Sequence, residues 1–218
     1  MIFVPPIADR SDFCLVAEKL FKKTNNAIEV GVYTGGFAHH NLKTWTGVYY
    51  LCDAWTHRPE DASRDLWDKN NTAEQEWTDI KKAALSNTSF AGERVKVVQA
   101  LSVDASHTFQ DEFFDWIYLD AMHDYENVKK DLNHWWPKLR KGGLFSGDDY
   151  GLYEASPIDF MMTPERFSKK GPGWALHPQL RWGTLNALCE FCSINGLNLN
   201  CTWYNDTQSA SWYIVKPE

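Results

Sequence analysis

Between Asp115 and Tyr150 the chain reads DWIYLDAMHDYENVKKDLNHWWPKLRKGGLFSGDDY, and no other stretch limits the fold so tightly. Trp116-Ile117-Tyr118-Leu119 is a short apolar run with aromatic and β-branched content, which predicts a buried strand. The run ends at Asp120, and His123 follows it closely. Val128, Leu132, Trp135, Trp136 and Leu139 then recur at helical spacing, and the basic residues before Gly142-Gly143 predict the helix end there. A second apolar run, Leu144-Phe145-Ser146, leads to Asp148 and Asp149. Strand, helix, strand therefore sets three carboxylates and an imidazole at the C-terminal ends of two strands of one sheet. Open α/β sheets bind ligands at that edge.

The N-terminal half supplies the rest of such a sheet. Arg10 to Lys23 predicts a lead-in helix capped by Ser11 or Asp12, with Phe13, Val16, Leu20 and Phe21 on one face. Ala27 to Val30 then runs as a strand into a glycine-bearing turn, Glu29-x-Gly31-x-x-x-Gly35, and on into a helix carrying Ala38, Leu42 and Trp45. Glycines at Gly31 and Gly35 let the backbone pass close to a ligand. An acidic residue at Glu29 suits an ammonium group. A second strand, Val48 to Leu51, leads to Asp53-Ala54-Trp55. An acidic residue at that point accepts hydrogen bonds from ribose hydroxyls. Glu29, Gly31, Gly35 and Asp53 together point to a nucleoside cofactor. A helix over Thr72 to Leu85 and a third strand at Val95 to Val98 bring Ser102 beside the same site, and a helix through Ala105 to Phe109 follows.

Composition narrows the partners. A net charge of −7 gives no general attraction for nucleic acid or an anionic membrane. No apolar run is long enough to span a bilayer, and the first residues lack the layout of a signal peptide, so a soluble, cytoplasmic protein is expected. The five cysteines are an odd count. Cys189 and Cys192 fall with Leu185 and Leu188 on one helical face, which predicts packing rather than metal or redox chemistry. Of the tryptophans, Trp116, Trp135 and Trp136 read as core, while Trp55, Trp174 and Trp182 offer flat faces to an acceptor.

Residues 151–181 are rich in Pro, Gly, Met and aromatics without periodicity, which predicts a substrate-covering insertion. A helix from Thr184 to Asn195, stopped by Gly196, precedes an antiparallel hairpin of Leu199 to Trp203 and Ser211 to Val215. The whole chain, 1–218, reads as one domain.

Taken together, these blocks resemble a class I S-adenosylmethionine (SAM)-dependent methyltransferase. More narrowly the chain resembles the macrocin and mycinamicin type of metal-dependent sugar O-methyltransferase. The resemblance runs from about residue 10 to 216. It rests on Glu29-Val30-Gly31-Val32 with Gly35, on Asp53-Ala54-Trp55, on Tyr118 to Tyr125, on Trp136-Pro137-Lys138-Leu139 and on Gly147-Asp148-Asp149-Tyr150. It implies a Rossmann-like three-layer αβα sandwich, with a seven-stranded, mostly parallel sheet and an antiparallel last strand. It further implies Mg²⁺ or Mn²⁺ at Asp120, Asp148 and Asp149, and His123 as the imidazole base. Many relatives carry His where this chain has Asp148, so the acidic residue favours the metal-dependent group. Glu29 and Gly31 would hold the methionine part of SAM, Asp53 the ribose and Ser102 the adenine side. Trp55 and Asp120 join this cofactor set.

The expected reaction is O-methylation of a small-molecule or glycan hydroxyl, preferably on a deoxysugar. Carboxylates suit hard divalent cations, which lower the pKa of a bound hydroxyl. A neighbouring imidazole can then take the proton. Two alternatives stand beside this reading: metal-free methylation of a phenolic or carboxylate acceptor, and a catalytically silent binding protein on the same fold. Homo-oligomerisation is left open.

Overall fold

Every residue of Phe114–Leu119 is buried, which only a central strand covered on both faces can achieve. Trp116 and Tyr118 point into one core layer, Ile117 and Leu119 into the other. Trp116 gathers the rings of Trp45, Tyr49 and Phe37 at centroid distances of 5.9, 6.0 and 6.3 Å. On the opposite face Phe114 meets Phe109, Phe113 and Trp135.

The computed structural model describes residues 7–56, 74–152, 183–202 and 209–218. Its strands are β1 (Asn26–Val30), β2 (Val48–Asp53), β3 (Val95–Gln99), β4 (Phe114–Leu119), β5 (Leu139–Leu152), β6 (Asn200–Cys201) and β7 (Ser209–Val215). They form one sheet in the order β3-β2-β1-β4-β5-β7-β6. The pairs from β3 through β5 are parallel, and β7 runs antiparallel to both of its neighbours. Helices α1 (Phe13–Lys19), α2 (Gly36–Asn41) and α3 (Glu74–Thr88) cover one face. Helices α4 (Ser102–Ser106), α5 (Tyr125–Trp135) and α6 (Thr184–Asn195) cover the other. This is the expected three-layer sandwich with its antiparallel last strand.

Several boundaries differ from the sequence reading. Asp12 holds the N-cap position of α1 without a side-chain bond, and the capping carboxylate of the lead-in segment is Asp9, which accepts from Ser11 N at 2.8 Å ahead of the turn. A 3-10 turn, Arg10–Asp12, precedes α1, and α1 closes early because Lys22 is left-handed and Lys23 N bonds back to Ala17 O. Gly142-Gly143 does not end α5. Pro137 does, since it has no N–H to continue the helical ladder, and β5 begins already at Leu139. Helix α4 starts at Ser102, three residues earlier than expected, with Asp104 favourably placed in its first turn. The buried face of α6 centres on Leu188, Phe191 and Cys192, which turns Cys189 to solvent. Trp136 is only partly buried.

Residues 153–181 of the expected substrate cover, with Trp174, lie outside the described residues, as do Trp182 and Trp203. Among the described residues no helix is long and apolar enough to cross a membrane.

Strands β4, β5 and β7 meet tightly at Gly147. A Cβ there would sit 2.4 Å from Leu119 O and 2.5 Å from the Trp212 ring. Gly147→Ala is therefore expected to destabilise the protein by about 1–3 kcal/mol or more through overpacking. Urea unfolding measures this, and an unchanged midpoint would show that the strands separate more easily than their packing implies.

Candidate active site

Parallel strands β1 to β4 end at a common edge, and the loops after them enclose a cavity of about 420 Å³. That volume suits a small-molecule cofactor. Gly31, Asp53, Ser102, Asp120 and Asp131 all line it. Gly31 has φ 92°, and a Cβ on it would lie 1.9 Å from Asp120 O, so any side chain would force β1 and β4 apart. Gly35, at φ 75°, packs its Cα against α3 at Ala84. Beyond the glycines, Tyr33, Trp55 and Asp149 also hold left-handed backbone, at φ 52°, 42° and 56°. Such conformations cost of order 1–3 kcal/mol each and concentrate at functional sites.

The Asp53 carboxylate accepts from Val32 N and Tyr33 N at 2.8 and 2.9 Å and from Trp55 N at 2.8 Å. These backbone amides hold the carboxylate in place at the wall of the cavity. Burial raises this carboxyl above its usual range, against the pull of the amides. Trp55 is buried, and its indole donates to Tyr33 O at 2.9 Å, so the ring forms wall rather than an exposed platform. Ser102 Oγ donates to Asp131 and accepts from Trp135 Nε1 at 2.9 Å. Glu29 does not line the cavity. Its carboxyl is buried, accepts from the Tyr49 hydroxyl at 2.9 Å, and is raised well above normal by desolvation.

Beside the cavity lies the acidic cluster. His123 Nε2 is 2.7 Å from Asp149 Oδ2 and 3.6 Å from Asp120 Oδ1. One ligand atom each from Asp120, His123 and Asp149 lie within 4.8 Å of one another. Asp148 points elsewhere. It accepts from Ser211 Oγ at 2.8 Å through one oxygen and from the Arg10 guanidinium through the other. Alternation along β5 would send the two neighbours to opposite sides, and the left-handed turn at Asp149 re-aims its carboxylate toward His123. Burial would lower the pKa of His123, but Asp149 and Asp120 outweigh it and hold the imidazole well above its ordinary value. Asp148 is also raised, by burial and by the charges of Asp120 and Asp149, despite Arg10 and Ser211.

The structure thus brings Asp120, His123 and Asp149 together and groups Asp148 with Arg10 and Ser211. Three participants escaped the sequence reading. Arg10 is separated from Asp148 by 138 positions and belongs to no motif. Ser211 looked like ordinary strand. Asp131 did carry a signal, since it occupies the apolar stripe of α5 between Val128 and Trp135 and is buried there.

A family described as a methyltransferase domain matches residues 28–150. No curated protein matches the sequence. Among solved structures, a protein from Corynebacterium glutamicum superposes with a TM-score of 0.61 at 13% identity, over 98% of this chain and 83% of that one. The O-methyltransferase from Bacillus cereus in complex with S-adenosylhomocysteine (SAH) gives 0.58 at 14%, over 95% and 80%. The O-methyltransferase TomG from Streptomyces achromogenes, in complex with SAM, gives 0.59 at 11%, over 95% and 79%. At such identities the likeness establishes the shared fold.

Desolvation pushes the Asp131 carboxyl up to about 7. The folded state then keeps a proton that the unfolded chain releases near pH 4, so this group's contribution to stability falls as pH rises from about 4 to 7. Asp131→Asn can still accept from Ser102 and has no charge to bury. Its stability advantage over the parent is expected to grow between pH 5 and pH 8 by on the order of a few kcal/mol. Urea unfolding at both pH values checks this, and a pH-independent difference would refute it.

Proposed function

The chain belongs to the methyltransferase domain family, and on that premise we propose that it is a SAM-dependent O-methyltransferase assisted by a divalent metal. Its acceptor is a hydroxyl of a small molecule or glycan, preferably a sugar with neighbouring hydroxyls. The observation that carries the metal-assisted reading is the convergence of Asp120, His123 and Asp149 next to the cavity. Two carboxylate oxygens and one imidazole nitrogen form a donor set that suits Mn²⁺ better than Mg²⁺, which favours all-oxygen surroundings. A cation held there would orient an acceptor diol and acidify the reacting hydroxyl.

Methyl transfer from a sulfonium is an in-line displacement, so this chain's residues supply alignment and a route for the proton. Asp53 at the cavity wall would accept from a ribose hydroxyl, and Gly31 lines the floor beside it. Glu29 would reach the amino-acid end of the donor only by leaving Tyr49. His123, while paired with two carboxylates, holds its own proton at neutral pH. With a cation held by Asp120 and Asp149 alone, His123 would be released to accept the proton of the reacting hydroxyl; as a third ligand through the same nitrogen it would not. Asp120 serves both sites, since it lines the cavity and belongs to the cluster.

A second reading, metal-free transfer, draws on the cations already present. Arg10 and a protonated His123 offset much of the charge of the three aspartates. Chelator experiments separate the two.

Calorimetric titration with SAH should give micromolar binding that Asp53→Ala weakens at least about tenfold, the scale of one or two lost hydrogen bonds to a charged group. Asp149→Ala should keep SAH affinity within a few-fold and lose at least about 10²-fold in turnover on a diol acceptor panel with Mn²⁺. Full activity in excess chelator would reject the metal-assisted reading, and absence of SAH binding by a folded sample would reject the cofactor.

A further inference from the structure

Arg10 reaches the acidic cluster from the opposite end of the sequence and is held there from several sides. The turn that carries it is pinned by Asp9, which accepts from both Ser11 N and Ser11 Oγ. Its guanidinium lies 5.4 Å from the Phe37 ring centroid, donates to Asp148 Oδ2 and lies 3.5 Å from the Tyr118 hydroxyl. Asp120 Oδ2 is 3.8 Å away. The other oxygen of Asp148 is taken by Ser211. A planar, permanently charged fork is thus docked where the acidic pair within β5 meets the carboxylate after β4.

We propose that Arg10 is the resident cation of this cluster, a positioning residue that withholds Asp148 from coordination and competes with a divalent ion for Asp120. The inference rests on reading the cluster as a cation site. It differs from the expectation that three aspartates alone share the metal. Each Asp148 oxygen already accepts a hydrogen bond, one from Arg10 and one from Ser211, and the ligand atoms that converge come from Asp120, His123 and Asp149. A positive charge about one ion-pair distance from Asp120 also repels an arriving divalent cation. Arginine is suited to this because it cannot lose its proton to make way, and one of its guanidinium nitrogens faces both carboxylates.

The test is calorimetric titration of the full chain with Mn²⁺ in the presence of SAH. Arg10→Gln removes the charge and exchanges the ionic bond to Asp148 for at most a neutral one that a metal can displace. It is expected to tighten Mn²⁺ binding on the order of tenfold or more. Arg10→Lys restores the charge and should return the affinity to within a few-fold of the parent. Asp148→Asn added to Arg10→Gln should cancel the gain, because the released carboxylate is what the metal acquires. A general loss of structure would weaken binding, so tighter binding is a readout that a purely structural role would not produce. Melting temperature and SAH affinity confirm that each variant is folded, and Arg10→Met, which keeps the packing over Phe37, replaces the Gln variant if that one fails to fold. Unchanged or weaker Mn²⁺ binding by a folded charge-removal variant overturns the proposal, as does failure of both parent and variant to bind. If the variant binds Mn²⁺ and the parent does not, Arg10 is established as the competing cation and the metal-assisted reading of the parent's turnover fails.

Discussion

The close approach of two strand ends governs the rest of this molecule. Asp120 N donates to Val30 O at 2.7 Å, and the Gly31 Cα lies against the Asp120 carbonyl with no room for a Cβ. That contact sets β1 beside β4 at the ligand edge. The cavity opens on one side of it, across the ends of β1, β2 and β3, and the carboxylate cluster gathers on the other, toward β5. Aromatic packing around Trp116 holds the strands below the edge in register, and the buried Asp115 carboxylate ties their opposite ends by accepting from Asn25 N at 2.7 Å. A methyltransferase needs its donor and acceptor aligned to a fraction of an ångström. Here the alignment is inherited from the sheet.

Much of this was legible in the chain because the relevant physics is local. The all-apolar run at Trp116 to Leu119 announces a strand covered on both faces, and β4 is the centre of the sheet. A glycine is required at Gly31, though the requirement comes from the positive φ and the crowding against the Asp120 backbone rather than from a ligand's approach. Helix and strand boundaries were less legible where one competing residue decides them. Pro137 outranks the glycine pair after it, and Asp9 caps a turn that Ser11 and Asp12 could equally have started.

Side-chain direction was the harder problem. Two adjacent aspartates carry no sign of which way each will face, and their separation depends on a left-handed residue at Asp149. The pairing of Asp148 with Arg10 depends on where the lead-in segment docks, which no short-range pattern encodes. Tyr33, Trp55 and Asp149 are likewise strained residues at strand ends that ordinary propensities would not select. Local preference and observed conformation part company mainly around the cavity and the cluster, where structure serves a purpose other than stability.

Asp120 is the partition between the two compartments. Its backbone closes the cavity floor against Gly31, and its carboxylate faces His123 and Arg10. The wall is one residue thick, so occupancy on either side changes the free energy of the same group. A donor bound on one side and a cation held on the other would therefore be linked, each altering the other's affinity by the same factor. Such coupling would need nothing beyond Asp120 itself, whose backbone borders one compartment and whose carboxylate borders the other.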